Sequence, residues 1–242
     1  MNQADFSSYE KSCFVYRDNK PERLTIRNYR EDDIEALIRI QRECFPPPYP
    51  SELWWNREQL LNHLRRFPQG MLCAEIGGAV VGSLTTMIAS IDLTAPDRLR
   101  HTWAEMTDNG YIGTHAPDGN TLYVVDIGVS PSARGLGLGK QMLQAAYELV
   151  VELGLDRLLG GARMPGYGRA AAELTPEEYV EAVLSGERRD PVVGFLLRCG
   201  RLPVAVARDY LDDEESAGCA LLMEWRNPFR HSADVRPDAF PL

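Results

Sequence analysis

The sequence predicts a single α/β domain built on a mixed sheet, and three observations carry that prediction. The chain has 242 residues, of which 44% are hydrophobic and 25% charged. That is enough for one large core, and it excludes disorder along the whole length. Short alternating stretches interleave with stretches of helical period. From Thr121 to Leu153, a strand (TLYVVDIGV) passes through a glycine-rich loop into a long amphipathic helix.

Taken in order, residues 1–22 are polar and irregular, a tail or an extra first strand. Arg23 to Arg27 alternates as a half-buried strand does. A helix follows with Ile34, Leu37, Ile38 and Cys44 on one side, and Glu31, Asp32 and Asp33 crowd its first turn, where the helix dipole favours negative charge. PPPYP (Pro46 to Pro50) breaks it, and a second helix carries Leu60, Leu64 and Phe67. Met71 to Ile76 and Ala79 to Ile91, joined at Gly77-Gly78, form a hairpin. Residues 92–120 are polar and loop-like.

After the strand at Thr121 the long helix buries Leu138, Met142, Ala145, Leu149 and Leu153, and Asp156 to Leu159 is a further strand. Thr175, Pro176 and Glu178 spell a capping box with proline at the first helical position, and Leu174 and Tyr179 are placed to staple that helix. A short helix runs from Pro191 to Cys199 and ends at Gly200, before two closing strands, Leu202 to Ala207 and Ala220 to Trp225. The domain spans residues 23–226, with insertions at about 92–120 and 162–190, and residues 227–242 form a C-terminal tail.

With 26 Lys and Arg against 35 Asp and Glu, the net charge is −9. Such a surface repels phosphate backbones and anionic lipid, which excludes nucleic acid and membrane as main partners and leans towards cationic substrates. The five scattered cysteines are odd in number and never form a CxxC pair, a pattern of reduced thiols in a cytoplasmic protein. His63, His101, His115 and His231 share no metal spacing, so no metal is expected.

The informative stretch is Val125 to Lys140, VDIGVSPSARGLGLGK. Glycines at a strand-to-helix junction let successive N–H groups point into one concavity at the positive end of a helix, which binds phosphate. A Walker A loop needs Gly at 134 and Ser or Thr at 141, where Arg134 and Gln141 stand. A dinucleotide fingerprint needs Gly at 140, where Lys140 stands. The pattern that fits is V-x-P-x-x-R-G-x-G-x-G, matched from Val129 to Gly139.

Here the chain resembles the GNAT family of acyl-CoA-dependent N-acyltransferases, whose order of elements matches from about residue 23 to 226. The resemblance implies a mostly antiparallel sheet of six to seven strands, with strands four and five splayed. It implies that main-chain groups of Ile127, Gly128 and Val129 pair with the pantetheine arm. Amides of Arg134, Gly135, Leu136, Gly137, Leu138, Gly139 and Lys140 would hold the pyrophosphate. Acetyl-CoA is the expected cosubstrate, an N–H near Val129 the expected oxyanion donor, and a homodimer is common for the family. Where the family often places a tyrosine as general acid, four residues before the glycine closing the short final helix, this chain has Leu196.

The candidate catalytic residues are therefore Tyr167, between two glycines after the fifth strand, with Asp126 and Tyr123 on the fourth. Asp212 to Glu215 form an acidic run, either a solvated hairpin or a lure for a cationic acceptor. Segment 160–191 and the stretch from Asp209 to Pro228 look like the GNAT variant that some bacteria fuse to a nitrilase-like domain. The expected activity is acetyl transfer from acetyl-CoA to a primary amine, of a small molecule or a peptide, by direct attack in a ternary complex. The alternative is an acyl-CoA-binding sensor without turnover.

Overall fold

The computed structural model describes residues 8–94 and 99–230. Eight strands form one sheet: β1 (Glu10–Arg17), β2 (Lys20–Asn28), β3 (Met71–Ile76), β4 (Ala79–Ala89), β5 (Thr121–Val129), β6 (Arg157–Arg163), β7 (Leu202–Ala207) and β8 (Ala220–Arg226). Their order is β1-β2-β3-β4-β5-β6-β8-β7. The count exceeds the sequence expectation because residues 10–17 form a full antiparallel hairpin with β2, turning at Asp18 and Asn19, both of positive φ. Residues 1–7, 95–98 and 231–242, parts of the predicted tails and first insertion, lie outside the described residues.

Helices α1 (Ile34–Cys44), α2 (Arg57–Arg66), α3 (Trp103–Thr107), α4 (Leu138–Glu152), α5 (Pro176–Leu184) and α6 (Pro191–Arg198) flank the sheet. α4 buries Leu138, Met142, Leu143, Ala145, Ala146, Leu149 and Val150, the leucines, methionine and valine each contributing about 1.5–3 kcal/mol. Leu153, expected on that face, is 40% exposed, because the helix ends at Glu152 and Leu153 turns off as its cap. α3 sits inside a stretch expected to be loop. Thr102 and Glu105 cap each other's backbone at its start, a capping box that hydrophobic period could not reveal in five residues.

α5 starts as the sequence predicts: Thr175 Oγ1 accepts from Glu178 N–H at 3.3 Å and Glu178 Oε2 accepts from Thr175 N–H at 2.8 Å. Asp190 then ties the insertion to α6. Its Oδ1 accepts from the N–H groups of Val192 and Val193, and its Oδ2 from the Tyr179 hydroxyl. No described helix is long and apolar enough to cross a membrane.

One feature of the sheet positions the site. Among the described residues, β5 and β6 are the single parallel pair, and they touch only where Thr121–Tyr123 meet Arg157–Leu159. Beyond that point β5 follows β4 as far as Val129, while β6 follows β8 as far as Arg163. A V-shaped gap opens between them. A bulge aids the parting: Thr85 pairs with Asp126 and Thr86 with Val124, which leaves Val125 without a partner on β4.

Candidate active site

The loop after β5 builds a concavity from main-chain atoms. Gly135 and Gly137 both take φ +82°, a conformation that side chains oppose, and Gly137 caps α4. A Cβ at either would meet nothing within 4 Å, so the hollow is open. Among the described residues, the N–H groups of Gly135, Leu136, Gly137, Leu138, Gly139 and Lys140 have no acceptor, and the first return bond of the helix is Gln141 N–H to Gly137 O at 3.2 Å. Free donors at the positive end of a fifteen-residue helix suit a diphosphate. Gly139 serves another purpose: a Cβ there would lie 3.0 Å from Phe195 Cζ, so its absence lets α6 approach.

The gap has a polar edge. Ser130 N–H donates to Val81 O at 2.8 Å. By antiparallel alternation Gly128 also faces β4, and Ile127 and Val129 turn their main-chain groups into the gap. The Val129 carbonyl there accepts from Cys44 Sγ and from Arg134 Nε, each at 3.2 Å. A pantetheine amide could pair with these groups as an added strand does.

Asp126 and Tyr123 flank the bulged Val125 on the sheet face covered by α1. Gly128, on the same face, lies where a Cβ would be 3.1 Å from Cys44 Sγ. Burial pushes the Asp126 carboxyl up to about 7, with the Trp55 indole N–H opposing the rise. Asp126 Oδ2 and Trp55 Nε1 are both buried, and although the indole N–H faces the carboxyl, neither atom reaches a partner in hydrogen-bond geometry among the described residues. Trp55 itself is fixed, since its N–H donates to Gln41 Oε1 and its ring meets His63 edge-on at 5.1 Å.

At the apex of the gap, Tyr123 Oη lies 2.7 Å from Tyr210 Oη and 3.0 Å from His101 Nε2. The ring of Tyr210 fills the space beside Gly161 of β6, where a Cβ would come within 2.4 Å of Tyr210 Cζ. Further out, the Arg163 guanidinium lies 5.6 Å from the Phe45 ring and 5.2 Å from the Tyr49 ring. It also donates to Asp213 at 2.7 and 2.8 Å and to Glu215 at 2.9 Å. Asp213 is thus a buried ion-pair partner, while Glu215 joins the same pair from the exposed side of the run. Tyr49 lies close enough to feel Asp126, Arg163, Asp213 and Tyr210.

The structure brings Asp126, Tyr123 and the 127–140 segment together around one gap. Tyr167 sits elsewhere: its hydroxyl donates to Leu174 O at 3.2 Å and its ring packs on Tyr179 at 5.4 Å, both within the insertion. Leu196 is buried in α6. Tyr49, Trp55, Arg163, His101 and Tyr210 are site residues that sequence reading missed. Histidine spacing in the sequence speaks only to metal binding and leaves His101 silent, and the others sit in loops or on a strand with no pattern of their own. Among the described residues, no group of three or more His, Cys, Asp or Glu is placed to hold a metal ion.

The family model described as Acetyltransferase (GNAT) family matches residues 34–172. The chain is 52% identical over 223 residues to the Bacillus subtilis protein described as "Uncharacterized N-acetyltransferase YkwB", covering 92% of this chain and 97% of that one. It is 38% identical over 206 residues to the B. subtilis protein "Probable hydrolase YhcX", of whose length it spans 39%. Among solved structures, a GNAT-like decarboxylase, GphF, in complex with isobutyryl-CoA superposes with a TM-score of 0.68 at 26% identity, covering 84% of this chain and 98% of that one.

Proposed function

This chain belongs to the GNAT acetyltransferase family, and we propose that it moves an acetyl group from acetyl-CoA to a primary amine by direct attack in a ternary complex. The observation that carries the proposal is Asp126 Oδ2, buried and unpartnered beside strands that have parted next to an open amide cradle. Residues 135–140 would hold the diphosphate, with the side chains of Arg134 and Lys140 adding positive charge at the loop. Ile127 and Val129 would pair with the pantetheine arm.

A primary amine of pKa about 10 arrives as ammonium at neutral pH. Asp126, at about 7, takes its first proton there, which a carboxylate near 4 would do poorly. The freed lone pair forms the N–C bond and the C–S bond breaks. The N–H of Val129, turned into the gap, stabilises the negative charge that develops on the carbonyl oxygen. Asp126 then returns its proton to the sulfur.

A second reading, decarboxylation of a carboxylated acyl-CoA, is favoured by the GphF relationship. Two features oppose it: Asp126 would repel a substrate carboxylate, and nearby Arg163 is committed to Asp213 and Glu215. Colorimetric detection of CoA thiol, run with acetyl-CoA and a panel of primary amines, tests the proposal. Amine-dependent thiol release is the expected result. CO2 release from malonyl-CoA without any amine would instead establish the second reading, and acetyl-CoA binding without either reaction would leave a sensor.

A further inference from the structure

Acetylating an ammonium requires nitrogen to lose two protons, one before attack and one before the amide is complete. On the reading above, Asp126 handles only the first. The second needs a separate acceptor on the same face of the gap. There Tyr210, Tyr123 and His101 make a continuous chain of contacts, 2.7 Å between the two hydroxyls and 3.0 Å from Tyr123 Oη to His101 Nε2.

We propose that Tyr210, Tyr123 and His101 form a proton relay in which Tyr210 meets the acceptor nitrogen and His101 stores its second proton. The inference rests on the acyltransfer reading and deepens it. Three observations on geometry support it. Tyr210 lies against Gly161, the second β6 residue past the last contact with β5, and so at the mouth of the parting. Its backbone is anchored, with N–H donating to Gly218 O and the carbonyl accepting from Trp103 N–H. His101 Nδ1 is shut away from water and, among the described residues, reaches no hydrogen-bond partner, while the Leu99 backbone favours the charged ring.

That last feature sets the direction of the chain. In the relay the ring proton sits on Nδ1, beside the Leu99 backbone that favours a charged ring, and Nε2 is the acceptor. Tyr123 then donates to His101, and Tyr210 donates to Tyr123. One lone pair of Tyr210 Oη faces the Gly161 N–H, and the other is left for the substrate N–H. The second proton passes to Tyr210 as Tyr210 gives its own to Tyr123 and Tyr123 gives its own to Nε2, so no oxygen stays charged. His101 becomes imidazolium. When the amide leaves and water enters the gap, the proton returns by the same path.

The charges around His101 suit this temporary role. Its surface side opens on a depression lined by Glu105 of α3, Glu177 of α5 and Asp209, with Arg100 and Arg208 between them. Arg208 is paired with Glu177 at 2.6 Å. Glu105 supports the imidazolium, while burial opposes it and keeps the resting ring neutral. Tyr123 and Tyr210 face it from the sheet side.

The test uses the full chain with Tyr210→Phe, His101→Gln and the double variant. Each single variant should lower kcat on the order of a hundredfold with little change in the KM for acetyl-CoA, and the double should be no slower than either single. In the wild type, log kcat/KM should climb with slope 2 at the acid end, where Asp126 and His101 must both lose a proton, and His101→Gln should reduce that slope to 1. Imidazole 15N shifts give a readout independent of turnover: neutral His101 should carry its proton on Nδ1. Wild-type kcat in either single variant, additive losses in the double, or an Nε2–H tautomer would overturn the relay. A wild type that releases no thiol with any amine while His101 shows the Nδ1–H form would overturn the acyltransfer reading instead.

Discussion

The Trp103 indole N–H donates to the carbonyl of Val125 at 3.0 Å. Val125 is the residue that β4 leaves unpaired, so this bond holds the bulge that separates Tyr123 from Asp126 and turns both to the acceptor face. A residue in a loop insertion thereby sets the geometry of the central strands. Trp103→Phe should keep most of the packing and lose the bond, leaving a buried carbonyl unsatisfied at a loss of about 1–3 kcal/mol. Urea unfolding should show that loss, and kcat should fall more than the KM for acetyl-CoA rises. An unchanged urea midpoint would remove this role.

Gly137→Asp should abolish acetyl-CoA binding, because a carboxylate would enter the hollow proposed for the diphosphate. The backbone at φ +82° also resists any side chain, by about 1–2 kcal/mol. Gly137→Ala separates the two effects: it carries the strain without the charge and should retain measurable binding. Calorimetric titration with acetyl-CoA decides. Equal heats for wild type and the Asp variant would refute the cradle.

The raised Asp126 pKa has a consequence for stability, and its sign runs opposite to that of a salt-bridged carboxylate. The folded pKa, about 7, lies above the unfolded value of about 3.9. Folding therefore favours the protonated form, and the stability from this group is full below pH 4 and lost as pH climbs towards 7. Asp126→Asn should raise the melting temperature at pH 8 and leave it nearly unchanged at pH 4. A melting temperature lowered at pH 8 would contradict the burial of an unpaired charge.

Gly161→Ala places a methyl group where Tyr210 Cζ would be 2.4 Å away. Tyr210 must move, and turnover should fall to the level of Tyr210→Phe. Gly160→Ala meets Val124 Cβ at 3.0 Å and should disturb packing more than proton transfer. The ratio of kcat loss to stability loss, from parallel kinetics and urea titrations, distinguishes the two. Similar ratios would count against a special place for Tyr210.

Tyr167→Phe removes a hydroxyl bound to Leu174 O inside the insertion. Stability should fall by about 1 kcal/mol, with kcat within a few-fold of wild type. A loss of a hundredfold in kcat would return Tyr167 to the chemistry.

What the sequence disclosed about this site is what local pattern can carry. The glycine spacing from Arg134 to Gly139 identified the cradle because φ and space leave few residue choices there, and Thr175 to Glu178 marked the start of α5 for a similar reason. Asp126 stood out only through the family resemblance, as the residue just before the segment that would pair with pantetheine. Tyr210, Arg163 and His101 did not, because their roles arise from contacts between segments tens of residues apart, such as Tyr210 with Gly161. Tyr167 drew attention through its flanking glycines. Yet Gly166 and Gly168 make room for Tyr179 and for the Glu214 and Glu215 backbone, and they do not aim Tyr167 into the gap. β1 was legible only as one of two alternatives, a tail or an extra first strand, because exposed Phe14 and Tyr16 blur its alternation.

The most direct test of the whole account is the initial rate of CoA thiol release from acetyl-CoA, with and without a primary amine, between pH 5 and pH 9, in wild type and Asp126→Asn. Release should depend on the amine, climb through an inflection near pH 7 in the wild type and lie on the order of a hundredfold lower in the variant. Matching rates in the two proteins across that range, or release that ignores the amine, would contradict it.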